Sequence, residues 1–164
     1  MPLGNVLVRK AEEKDIDEIH TLLSEAFAFY RRDYTKEAYD ATVVAKEEIG
    51  RRIERQDMVI LIAQLQDAVV GTAALKIVAD EFYIQSMAVK PGVQRKGVGM
   101  SILRAIEDYA KEMHARALFL ECSEPLTKAI RLYEKFGFER TGKERPYHGI
   151  TVFEMRKEYS VCEN

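Results

Sequence analysis

Three apolar runs, "DMVILIAQL", "AVVGTAALKIVA" and "EFYIQSMAV", follow one another between Asp57 and Val89, separated only by Gln66–Asp67 and by Asp80. Parallel neighbours need a crossover of a dozen or more residues, so runs this close can pair only as antiparallel strands. A fourth buried run, "ALFLECS", arrives after a helix-length amphipathic segment. It is expected to lie parallel to the third through a right-handed crossover. Two closing strands, the second reading "GITVFEMRK", complete the set, and "NVLVRKA" opens it. The spacing therefore predicts an α/β (α+β) chain with a mixed, mostly antiparallel central sheet of six to seven strands and about four flanking helices.

The helices are read from apolar residues at steps of three and four. Asp15 is the expected N-cap of a first helix with Ile16, Ile19, Leu23, Ala26, Phe27 and Tyr30 on one face. "TKEAYDATVVAKEEIGRRIER" reads as one charged second helix. A third is expected to bury Val98, Ile102, Ile106, Tyr109 and Met113, and a fourth, "LTKAIRLYEKF", to stop at Gly137.

The third apolar run passes into the third helix through "KPGVQRKGVG", which holds three of the nine glycines and three cations. A helix N-terminus offers unpaired N–H donors and partial positive charge, and glycine lets a ligand approach the backbone, so phosphate suits this turn. Two nucleotide readings fail. Gly92 and Gly97 have the Walker A spacing, but Val98 and Gly99 stand where Lys and Ser or Thr are required. Gly97-x-Gly99 is followed by Ile102 where a dinucleotide fingerprint needs a third glycine. A ligand-free connection is the alternative that the turn alone leaves open.

Gln94-Arg95-Lys96-Gly97-Val98-Gly99 resembles the pyrophosphate-binding motif, Gln/Arg-x-x-Gly-x-Gly/Ala, of the GNAT superfamily of acyl-CoA N-acyltransferases. Upstream lies "SMAVKP". About 35 residues downstream, "AIRLYEKFGFERTG" resembles the family's second signature, a helix carrying a Tyr and ending in Gly-Phe. The resemblance spans nearly the whole chain and implies one GNAT N-acetyltransferase domain over residues 1–164, with a splayed parallel pair in its sheet.

It further implies acetyl-CoA (coenzyme A) as acyl-donor co-substrate, with no metal, and a primary amine of a small molecule or peptide as acceptor. Met87, Ala88 and Val89 would bind the cofactor's amide arm as an added strand does. Gln94, Arg95, Lys96, Gly97, Val98, Gly99 and Met100 would line its diphosphate, although Arg95 and Lys96 also read as solvated cations. Tyr133 takes the place of the leaving-group acid. It also belongs to the apolar helix stripe of Leu126, Ala129, Ile130 and Phe136, so core packing is its other reading. The family glutamate on the third strand falls at Tyr83 here, which makes Glu81, two residues earlier on the same strand face, the candidate general base. An exposed charge at a strand start, with a water chain as base, is the alternative. Leu126 departs from the family Asn that contacts the cofactor. Tyr30, Tyr34, Tyr83 and His148 are the candidate acceptor-binding residues.

Transfer is expected to be direct, since Cys122 has no evident His–Asp arrangement around it. A non-catalytic acyl-CoA sensor on the same fold is the second reading. The net charge of −2 disfavours a nucleic-acid partner. No apolar run approaches the roughly 20 residues that span a bilayer. With two cysteines and no charged-then-apolar N-terminus, reducing cytoplasm is the expected location. A homodimer is compatible with the resemblance.

Overall fold

The computed structural model describes residues 5–93 and 97–159. Seven strands form one sheet: β1 (Leu7–Lys10), β2 (Met58–Leu65), β3 (Ala68–Val78), β4 (Glu81–Val89), β5 (Ala117–Cys122), β6 (Glu139–Tyr147) and β7 (Ile150–Glu158). Their order is β1-β2-β3-β4-β5-β7-β6, and every pairing is antiparallel except β4 with β5. The β2–β3 connection is as short as the sequence implies. Gln66 and Asp67 both take positive φ, +51° and +66°, a two-residue hairpin turn whose twist matches that of the strands.

Among the described residues five α-helices cover the sheet: α1 (Ile16–Ala28), α2 (Lys36–Thr42), α3 (Lys46–Glu54), α4 (Val98–Glu112) and α5 (Thr127–Phe136). One core unites β-strand residues with Ile102, Leu103, Ile106, Ile130 and Tyr133 of α4 and α5. A second lies on the other face beneath α1 and α3, built on Ile19, Leu23, Phe27, Ile49 and Ile62. Layers on both faces explain why β2 is apolar along almost its whole length rather than alternating.

Three expectations need correction. The charged segment from Thr35 to Arg55 is two helices, not one. Val43 and Val44 bury their β-branched side chains in the second core, and Val43 leaves helical geometry at φ −92°, ψ 79°. Asp15 stands at the start of α1 but makes no side-chain cap for it. Its carboxylate instead takes the Glu12 N–H at 2.7 Å and a fork from Arg9 at 2.9 Å. Met113 is half exposed, because α4 ends at Glu112 and the chain turns away.

Gly71 in β3 shows how closely α4 lies on the sheet. A Cβ there would meet Ile102 Cδ1 at 2.7 Å and Val98 Cγ1 at 3.0 Å. The start of α4 is thereby held against the strands that frame the site.

Candidate active site

A cleft opens in the sheet because β4 and β5 pair only over their first four positions. Their ladder runs from Glu81–Ala117 to Ile84–Leu120 and goes no further. On the other edge of β4, register slips between Thr72 and Ala74, so Ser86 and Met87 together oppose Ala73. Such a bulge bends the strand that carries it. Ser86 adopts φ +47°, uncommon for a residue with a Cβ. Its hydroxyl donates to the Thr42 carbonyl and accepts from Arg52 Nη1, both at 3.3 Å. The bulge is therefore held from α2 and α3, and past it β4 and β5 separate around a cavity of about 780 Å³.

One end of this cavity is made by Met87, Ala88 and Val89 of β4 and by Gly97, Gly99 and Met100 at the start of α4. Gly97 is the N-cap at φ +81°, and a Cβ placed on it would meet no atom within 4 Å. A side chain at this N-cap would thus meet no described neighbour at its Cβ. Gly99 has a different cause: a Cβ there would lie 2.7 Å from Leu132 Cδ2, so it permits α4 to pack on α5. Val98 turns away into the core and does not line the cavity. Gln94, Arg95 and Lys96 lie outside the described residues. Arg104, Lys128, Arg131 and Lys135 also line the cleft. Sequence reading passed over them, although 128, 131 and 135 follow one helix face at steps of three and four.

Tyr133 lines the cleft from α5, with its ring edge-on to Phe138 at 5.8 Å. Burial holds its phenol well above the ordinary value, so it stays protonated. Cys122 also lines the cleft, and burial pushes its thiol up to about 12. A thiol so rarely ionised is a poor nucleophile. Cys122→Ala should therefore keep turnover within about twofold, and loss of activity together with a trapped acetyl-cysteine in the parent protein would refute direct transfer.

Tyr30, Tyr34 and Tyr83 also line the cleft. Burial raises the Tyr34 phenol to about 12. Tyr83 stacks on Phe119, centroids 4.9 Å apart, and donates to Glu121 Oε1 at 2.8 Å. Arg145 forks onto the same carboxylate, Nη2 to Oε1 at 2.6 Å and Nε to Oε2. Burial would raise the Glu121 pKa, but the bonds from Arg145 and Tyr83 outweigh it and hold the group below the usual carboxylate range. Among the described residues Glu121 is the one acidic side chain in the cleft lining.

Glu121 was missed in the sequence, where "ALFLECS" reads as a buried strand. The available signal was a glutamate in an otherwise apolar run leading to the splayed end. Glu81 sits at the far end of β4, outside the cleft lining, where Arg156 forks onto its carboxylate with Nη1 at 3.2 Å. His148 occupies the β6–β7 turn at φ +48°, and its side chain is not part of the lining either. No group of three or more His, Cys, Asp or Glu side chains among the described residues could hold a metal. No helix among them is long and apolar enough to cross a membrane.

Residues 16–138 match the family model described as "Acetyltransferase (GNAT) family". An uncharacterized N-acetyltransferase of Bacillus subtilis, YhfO, is 30% identical over 138 residues, covering 80% of this chain and 89% of its own. The ribosomal protein bS18-alanine N-acetyltransferase of Escherichia coli is 33% identical over 79 residues, 48% of this chain and 53% of that protein. Among solved structures, the PaiA N-acetyltransferase of Thermoplasma acidophilum, in complex with coenzyme A, superposes with a TM-score of 0.82 at 21% identity, covering 94% of this chain and 99% of that one.

Proposed function

Since the chain belongs to the acetyltransferase (GNAT) family, and so is an N-acetyltransferase, we propose that it moves the acetyl group of acetyl-CoA to a primary amine by direct attack in a ternary complex. The observation that carries this reading is the split between β4 and β5, with the Tyr133 phenol and the Glu121 carboxylate both lining the cavity it opens. The cofactor fits the other features of the cleft. The N-terminus of α4, which lines the cleft, suits a diphosphate, and the cations of α4 and α5 suit its further phosphate. When bound, the cofactor supplies a thioester, activated for acyl transfer.

The residues divide the remaining work. The main-chain N–H of Met87 or of Val89, in the bulged β4 segment, polarises the acyl carbonyl. Tyr133 donates its proton to the departing thiolate sulfur. Glu121 replaces Glu81 in this reading. As a carboxylate kept ionised by Arg145, it attracts and orients the acceptor's ammonium. The same depressed basicity makes it a weak final proton acceptor, so the amine's proton passes on to water. Tyr30, Tyr34 and Tyr83 offer ring faces to the cationic or apolar part of the acceptor.

The relatives suggest where to look for that acceptor. One of them is named for acetylating an alanine of a ribosomal protein, so a peptide α-amine is the first acceptor class to test, ahead of lysine side chains and polyamines. The same reading places the protein in reducing cytoplasm, in keeping with the free, buried Cys122, and allows a homodimer.

The experiment is thiol release from acetyl-CoA across a panel of amines, with product mass measured. One amine should give an adduct of one acetyl group. Coenzyme A binding without turnover on any amine would favour the sensor reading. Glu121→Gln keeps the bond geometry toward Tyr83 while removing the charge. It should lower kcat/KM for the acceptor about 10-fold, the size of one charge-assisted hydrogen bond, with affinity for coenzyme A retained.

A further inference from the structure

Tyr34 and Thr35 are the last two residues of the α1–α2 connection, just before α2 begins at Lys36. Tyr34 lines the cleft, while Thr35 carries two hydrogen bonds through one hydroxyl. Its Oγ1 accepts from the Ala38 N–H at 3.0 Å, capping α2. The same Oγ1 donates to the carbonyl of His148 in the β6–β7 turn, 113 residues away in sequence. The Thr35 methyl is fitted as closely as its hydroxyl. A Cβ on Gly149, at φ +89°, would lie 2.9 Å from Thr35 Cγ2.

This turn is not a remote surface feature. It follows Tyr147, which lines the cleft, and Arg145, which holds Glu121. Thr35 therefore fastens one wall of the acceptor end, bearing Tyr30 and Tyr34, to the other, bearing Tyr147, Arg145 and through it Glu121.

We propose that Thr35 is a positioning residue for acetyl transfer: by tying the α1–α2 connection to the β6–β7 turn, it fixes the tyrosines and Glu121 around the incoming amine. The proposal rests on the acetyltransferase reading of the cleft. It concerns the acceptor end, since Thr35 and the turn it holds adjoin Tyr34 and Tyr147 of the lining, while neither Thr35 nor Gly149 lines the cleft itself.

Four variants separate the hydroxyl's two bonds and the methyl's packing. Thr35→Val keeps the shape and loses both bonds. Thr35→Asp can still accept from Ala38 but has no proton to give His148 at neutral pH. Thr35→Ser keeps both bonds and drops the methyl. Gly149→Ala introduces the close Cβ. Val and Asp should each raise the acceptor KM about fivefold, the size of one modest hydrogen bond, without changing KM for acetyl-CoA. Ser should behave as the parent. Gly149→Ala should raise the acceptor KM and lower Tm, and Thr35→Ser/Gly149→Ala should recover part of both losses, because serine lacks the methyl that the new Cβ meets.

The proposal is overturned by Val or Asp leaving acceptor KM unchanged, by equal rises for both substrates, or by a double variant no better than Gly149→Ala. A parent protein that acetylates no amine would instead strike at the enzymatic reading. In that event the Tm recovery in the double variant still reports on the tie itself: present, it supports the tie, and absent, it removes it.

Discussion

Replacing Tyr133 by Phe is expected to lower kcat about 100-fold, the lower end of what a positioned acid contributes, while affinity for coenzyme A changes by no more than about twofold. The exchange is nearly isosteric. The ring would keep its edge contact with Phe138 and its place in the core shared by α4 and α5. Only the hydroxyl goes, and the hydroxyl is what faces the leaving sulfur in the proposed chemistry. The pH dependence adds a second check. Tyr133 acts in its protonated form, and burial raises its pKa above the usual phenol value. Its contribution is therefore fully present below that value and is lost only above it, so no alkaline fall in rate near pH 9 should trace to Tyr133. Unchanged turnover in Tyr133→Phe, under conditions where acyl transfer limits the rate, would remove this residue from the mechanism.

What could be read from sequence follows how locally each feature is determined. The antiparallel run β2-β3-β4 was legible because a turn such as Gln66–Asp67 leaves no room for another topology. Gly137 was legible as a helix stop because its φ of +111° is a conformation that glycine adopts without strain. That Tyr133 and the α4 start would both line the cleft was legible through two motifs that each sit within one short segment.

Features set by distant pairings were not. Glu121 lies on a strand that reads as plain core. It becomes a site residue only when Arg145 and Tyr83 converge on it from β6 and β4. Glu81 faced the opposite outcome. Alternation placed it correctly on the face of Tyr83, but alternation does not say that β4 and β5 part only after Ile84 or that Arg156 waits across the sheet. The break between α2 and α3 was hidden for a similar reason. Charge patterning favoured one helix, and the burial of Val43 and Val44 beneath it decided otherwise.

The diphosphate cradle can be tested with a built-in comparison. Gly92 and Gly97 lie five residues apart in sequence, both have φ near +90° (+93° and +81°), and a Cβ on either would meet no described atom within 4 Å. Valine at either position imposes the same backbone strain, since a β-branched residue is a genuine outlier at positive φ. Only Gly97 borders the cleft and begins α4. Gly97→Val should therefore weaken coenzyme A binding about 100-fold, as a branched side chain stands where the diphosphate meets the helix amides and several charge-assisted bonds are lost together. Gly92→Val should lower Tm by a similar amount yet leave binding within about threefold, a shift under 1 kcal/mol. Calorimetric titration of coenzyme A into the two variants decides between strain and cradle. Equal losses would mean that loop conformation alone governs affinity, and parent-like binding by Gly97→Val would place the phosphates somewhere other than the start of α4.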